Sequence, residues 1–219
     1  MSFLSEILNQ NIPIWDHCAN LPFIRGLSQG TLPRPQFKTY MIQDSLYLKH
    51  YARILGKAIY LCETLKEIQF FYALLGFVAA DESVIRLHYL SKFDLDDETI
   101  EAIPPLPENQ NYINFLEETA DQCDPLKILM AVLPCMLSYS YIFRKVEPEA
   151  RASRSAYLDF IADYAEDQYA RNCQSWADYA DQYGSGRTSE EQAELAKIFF
   201  RASELELAFW KMAQTVENE

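Results

Sequence analysis

Leu126-Lys127-Ile128-Leu129-Met130-Ala131-Val132-Leu133-Pro134-Cys135-Met136-Leu137-Ser138-Tyr139-Ser140-Tyr141-Ile142-Phe143 is the stretch on which the fold turns. Leu126, Leu129, Met130, Leu133, Leu137 and Tyr141 recur at steps of three and four, the pattern of a largely buried helix. Pro134 falls in the middle. It has no N–H to give the Met130 carbonyl and its ring pushes that turn away, which predicts a kink and a helix that re-starts near Cys135. The thiol is then expected in a first turn, where free backbone N–H groups favour the reactive thiolate. Tyr139, at i+4, shares its face. A free cysteine is also commonly a small buried hydrophobe, so the spacing alone leaves both readings open.

Outward from this stretch, the composition narrows the classes. With 219 residues and no compositional break, the chain is expected to be a single all-α domain over residues 1–219 with a sizeable core. It carries 32 acidic against 19 basic residues, a net charge of −13, whereas phosphate backbones and anionic membranes call for a basic face. No nucleic-acid and no membrane partner is expected. Cys18, Cys62, Cys123, Cys135 and Cys173 form no C-x-x-C pair, and with only His17, His50 and His88 the expectation is reduced thiols, no metal and a cytoplasmic location. The first residues lack a basic start with a signal-type apolar core.

Along the chain, Ser2 to Leu8 reads as a short amphipathic segment that Pro13 interrupts before a second piece around Trp15. Pro22 to Pro35 reads as a turn-rich linker. Gln36 to Cys62 is one long helical pattern through Phe37, Tyr40, Met41, Tyr47, Tyr51 and Leu55, and Lys66 to Phe93 repeats it through Phe71, Leu74, Val78 and Ile85. Three prolines make Asp94 to Gln110 a loop, and Asn111 to Gln122 resumes as helix. Glu147 to Tyr183 is helical and aromatic, with Gly184-Ser185-Gly186 closing it, and Ser189 with Gln192 is expected to form the capping box of the last helix. Strand-type alternation is absent. The expectation is roughly seven to nine helices packed on one another.

Fourteen tyrosines stand out, because a buried tyrosine needs a hydrogen-bond partner and several on helix faces suggest an aromatic pocket lined with polar groups. Asp44 lies between Tyr40 at i−4 and Tyr47 at i+3, so it is either a half-exposed acid or a poorly solvated carboxylate among phenols. Glu206 has Phe199, Ala202, Phe209 and Trp210 on adjacent turns, whereas Glu204 reads as the solvated acid. An apolar pocket favours the neutral carboxyl, as a general acid requires. No Glu-x-x-His pair exists for a di-iron site, and no glycine-rich phosphate loop or G-x-S-x-G elbow is present. His17 is a conceivable axial haem ligand and more commonly such a residue is structural.

Gln43-Asp44-Ser45-Leu46-Tyr47, Leu133-Pro134-Cys135 with Tyr139, and Glu206-Leu207-Ala208-Phe209-Trp210-Lys211-Met212-Ala213 together resemble the TenA or thiaminase II family over nearly the whole chain. The resemblance implies a haem-oxygenase-like helical bundle, a homotetramer, no cofactor, and hydrolysis of a small-molecule aminopyrimidine in thiamin salvage. It implies Cys135 as nucleophile, Glu206 as the proton-transferring acid and Asp44 as partner of the pyrimidine amino group and ring nitrogen. Tyr47, Tyr112, Tyr139 and Tyr164 would line the substrate pocket. A non-enzymatic pyrimidine- or haem-binding protein, or a regulator of the same fold, is the alternative.

Overall fold

Ten α-helices and no strand make up the regular structure among the described residues, which in this computed structural model are 2–214, with 78–85 described by backbone alone. In chain order they are α1 (Phe3–Ala19), α2 (Pro22–Gln29), α3 (Arg34–Leu61), α4 (Leu65–Lys92), α5 (Asp97–Glu101), α6 (Pro107–Ala120), α7 (Pro125–Ser153), α8 (Leu158–Ala165), α9 (Asp167–Ser185) and α10 (Ser189–Met212). The side chains of Val78 and Ile85, expected on the stripe of α4, lie outside the described residues.

Several boundaries differ from the sequence reading, each for a local reason. Pro13 sits inside an unbroken α1, and Pro134 and Pro148 sit inside an unbroken α7. One missing hydrogen bond does not end a helix whose faces are held by packing on both sides of it. Other carbonyls of α7 near Pro134 accept from side chains: the Tyr51 hydroxyl gives to Val132 at 3.2 Å, Ser138 to Cys135 at 3.2 Å and the Cys173 thiol to Met136 at 3.5 Å. The expected linker holds α2, whose first turn takes Pro22 and whose end is Gly30 at φ 70°, a left-handed position where a Cβ would stand 3.1 Å from the Ser155 Cα. α5 occupies part of the expected proline loop, capped by Asp96, whose carboxylate accepts from the Thr99 N–H at 2.8 Å. The capping box of α10 is Thr188 with Glu191, one residue before the expected pair. Gln192 reaches back instead to the Gly184 carbonyl at 3.1 Å. The helix expected over 147–183 is three pieces, broken after Ser153, where Arg154 adopts a left-handed φ of 54°, and again at Glu166.

The middle of the bundle is α7, which packs against α1, α2, α3, α6, α8, α9 and α10. By length and hydropathy it could cross a membrane, yet its most apolar window is 83% buried inside the protein. That burial explains its near-continuous apolar sequence: a helix contacted on all sides needs no polar face. α1 and α9 meet closely at Gly184, where a Cβ would fall 2.2 Å from the Phe3 ring. Around α7 the aromatic residues interlock; Tyr40, Phe143, Phe160, Tyr164 and Trp210 pack ring on ring at 5.2–6.1 Å.

Candidate active site

Four of the long or central helices aim side chains at one point. Asp44 and Tyr47 come from α3, Tyr112 from α6, Tyr139 from α7, and Glu206 and Phe209 from α10; together they line one small, tightly closed cavity. The register of α3 against α6 is set one residue before Asp44. There Gln43 accepts from the Leu106 N–H at 2.9 Å, while the Asn109 amide donates to both its backbone and side-chain oxygens at 2.8 and 2.9 Å. The turn before α6 is thereby fixed to the turn of α3 that carries the acid.

Both acids are buried, Asp44 with 6% of its surface exposed and Glu206 with 2%, whereas Glu204 is exposed as its place in the pattern predicts. Burial pushes Asp44 up to about 7, opposed by the positive charge of Arg86. Burial likewise pushes Glu206 up to about 7; hydrogen bonds from Tyr112 and Cys135 oppose it, and the charge of Asp44 adds to it. The Tyr112 hydroxyl donates to Oε1 of Glu206 at 2.9 Å. These are carboxyls poised to gain or lose a proton near neutrality, the property acid–base work requires.

Cys135 is buried and its side chain hydrogen-bonds Glu206. Because α7 continues unbroken through Pro134, the thiol lies in mid-helix rather than in a first turn, and the expected help from helix-start N–H groups is absent. The carboxylate beside it is the base that can take its proton. Cys18, also buried and near Glu206, is pushed up to about 12 by burial first and by Glu206 second, so it stays a thiol.

Tyr139 and Tyr40 place their hydroxyls 3.0 Å apart, and the Tyr40 ring lies flat on Trp210 at 5.2 Å with 8° between planes. Tyr47 packs 4.8 Å from Tyr112. Tyr164 stands one layer back, edge-on to Tyr139 at 5.0 Å, and is not among the residues lining the cavity. Burial holds Tyr47, Tyr112 and Tyr139 far above the ordinary phenol range, so all three are neutral hydrogen-bonding groups. Arg86 as a charge near Asp44 has no signal in the sequence. Phe209 as a wall, and Tyr40 and Trp210 as supports, are visible there only as aromatic neighbours in the helical pattern. His17 is exposed on α1, away from this buried cluster.

The sequence pattern of the TENA/THI-4/PQQC family matches residues 8–215. An aminopyrimidine aminohydrolase of Halalkalibacterium halodurans is 31% identical over 214 residues, covering 97% of this chain and 96% of that protein. A solved structure described as a TenA family transcription regulator from a Silicibacter species superposes with a TM-score of 0.88 at 28% identity, covering 98% of this chain and 97% of the other. A domain of unknown function from Shewanella denitrificans, described as having a heme oxygenase-like fold, aligns with a TM-score of 0.74 at 16% identity over 96% of this chain and 91% of its own.

Proposed function

The chain belongs to the TENA/THI-4/PQQC family, and from that membership we propose that it is an aminopyrimidine aminohydrolase of the thiaminase II kind, a hydrolase of carbon–nitrogen bonds in thiamin metabolism. Its fold is the haem-oxygenase-like helical bundle. The observation that carries the activity is the buried pairing of the Cys135 thiol with Glu206, which lines a small aromatic cavity together with Asp44.

The chemistry follows from that pairing. A pyrimidine ring resists attack until its nitrogen is polarised; Asp44, accepting from the amino group and sharing a proton with the adjacent ring nitrogen, supplies that polarisation. Glu206 takes the thiol proton as sulfur bonds to the ring carbon beside the one bearing the aminomethyl group. The ring double bond between them shifts to the methylene, and the amine leaves with the proton held by Glu206. Glu206 next removes a proton from water, whose oxygen adds to the methylene; the double bond returns to the ring and expels the thiolate, which recovers its proton. The products are the hydroxymethyl pyrimidine and ammonia. Tyr47, Tyr112 and Phe209 offer faces for a flat ring, at about 1 kcal/mol per stacking partner beyond area burial. Tyr139 offers a hydroxyl, oriented by Tyr40.

We read residues 1–219 as one domain because the helices share a single hydrophobic core, and as cytoplasmic because the five cysteines form no disulfide. Tyr60, Leu65 and Tyr72 expose apolar surface near the α3–α4 junction, which supports a homotetramer. A monomer in light scattering at micromolar concentration would remove that last reading. Turnover of an aminomethyl-substituted aminopyrimidine and of thiamin, measured side by side, tests the activity: hydrolysis of either supports it, and hydrolysis of neither sinks it.

A further inference from the structure

Arg86 lies on α4 outside the cavity, yet it is tied to the turn that carries Asp44. Its Nη1 donates to the Ser45 Oγ at 2.8 Å, and Ser45 in turn donates to the Met41 carbonyl at 2.7 Å. Ser45 follows Asp44 in α3, so the guanidinium is anchored one residue from the buried carboxyl, and its positive charge acts on that carboxyl. The two acids of the site are held differently. Glu206 has two hydrogen-bond donors, Tyr112 and Cys135. Asp44 faces Tyr40 and Tyr47 on its own helix, Tyr112 of α6, Tyr139 of α7 and Glu206 of α10, with Cys135 behind Glu206, groups that are neutral or negative. Lys49 of α3 is on the outer side of this helix, paired with Glu101 of α5 at 2.5 Å beside Asp97. Among the described residues the charge that favours an ionised Asp44 is therefore that of Arg86.

We propose that Arg86 is a positioning residue acting through Asp44: anchored on Ser45, its guanidinium keeps the neighbouring carboxyl ionised beside a second buried acid, so that Asp44 can accept from the pyrimidine amino group. The proposal rests on the aminopyrimidine reading for its last step. A charge outside the cavity suits this task because it acts through a medium of low dielectric without occupying substrate space. Arg86 touches Ser45 rather than the reacting atoms.

The test is a carboxyl carbon-13 NMR titration of aspartate-labelled protein without substrate, with Asp44 assigned by its loss in Asp44→Asn, alongside the pH dependence of kcat/KM. In Arg86→Gln the Asp44 midpoint and the acidic limb both move to higher pH by about one unit, so that kcat/KM at pH 6 falls about fivefold further than at pH 8. Arg86→Lys keeps both close to wild type. Ser45→Ala, which frees the guanidinium without removing its charge, moves both in the same direction by less. An Asp44 midpoint unchanged in Arg86→Gln overturns the proposal; should that variant not fold, an unchanged midpoint in Ser45→Ala does so. Wild-type protein that turns over no aminopyrimidine overturns the activity instead, while the titration still decides whether Arg86 acts on Asp44.

Discussion

The Tyr112 hydroxyl donates a 2.9 Å hydrogen bond to Oε1 of Glu206, joining α6 to α10 inside the cavity. That bond favours the carboxylate, the form that can accept the Cys135 proton. Removing it in Tyr112→Phe leaves a buried carboxyl with one donor fewer, and such a bond to a charged group contributes roughly 1.5–3 kcal/mol. The acidic limb of kcat, expected near pH 7, should rise by about one unit or more. A pH–rate profile superimposable on wild type would mean that Glu206 does not need this phenol.

Replacing Cys135 by serine should abolish turnover with folding and pyrimidine binding largely kept. The hydroxyl is isosteric enough for the packed mid-helix position, but Glu206 at about 7 is far too weak a base to deprotonate it. Calorimetric binding of the product pyrimidine together with absent turnover is the expected pair of results. Near-normal turnover would show that the nucleophile is another group. In mild alkylation the exposed Cys123 should label early, whereas substrate should protect Cys135 selectively and leave Cys18, held as a thiol, unlabelled throughout.

Glu206→Gln keeps the shape of the site and removes the proton carrier, so turnover should fall by roughly a hundredfold or more. Glu204→Gln is the control, since Glu204 is exposed and pairs with Arg201 at 3.1 Å on the solvent face of α10. Two variants with similar kcat would contradict a role that depends on burial.

How far these sites were legible in the sequence depended on the range of the signal. Helix type followed from period, and Glu206 was separable from Glu204 because two residues' difference on a helix turns a side chain from core to solvent. Asp44 was ambiguous, since its own helix gave only Tyr40 and Tyr47; what buries it comes from Tyr112, Tyr139 and Glu206, far away in sequence. Proline was over-read. At Pro13 and Pro134 local sterics predict a break, but the packing of α1 and α7 on their neighbours outweighs one lost hydrogen bond, and Tyr51, from a different helix, serves a carbonyl beside Pro134. The start of α10 slipped by one residue because Thr188-Ser189 followed by Glu190-Glu191-Gln192 offers two overlapping capping boxes. Arg86 was invisible for the opposite reason: nothing near it in α4 marks it, and its meaning comes from Ser45 on another helix.

Asp44→Asn separates recognition from chemistry and also tests the burial of charge. The amide keeps one acceptor and replaces the other with a donor, so it cannot take both the amino group and a shared ring proton. Because ring polarisation grows as sulfur adds, the loss should appear in kcat as well as KM, at roughly 2–4 kcal/mol of transition-state stabilisation. Stability should change in the opposite sense. The folded carboxyl is raised from 3.8 to about 7, so the folded state holds its proton more tightly than the unfolded chain does. The resulting stabilisation is complete below about pH 4, is lost as pH rises toward 7, and stays lost above it. An uncharged amide escapes that loss: the variant should match wild type at pH 4 and exceed it at pH 8, by up to about 4 kcal/mol if the amide is as well accommodated. Thermal unfolding at the two pH values reads the difference directly. An inactive but more heat-stable enzyme at pH 8 is the expected result; an equal offset at pH 4 and pH 8 would mean that Asp44 carries no buried charge, and the polarisation step assigned to it would fall with that.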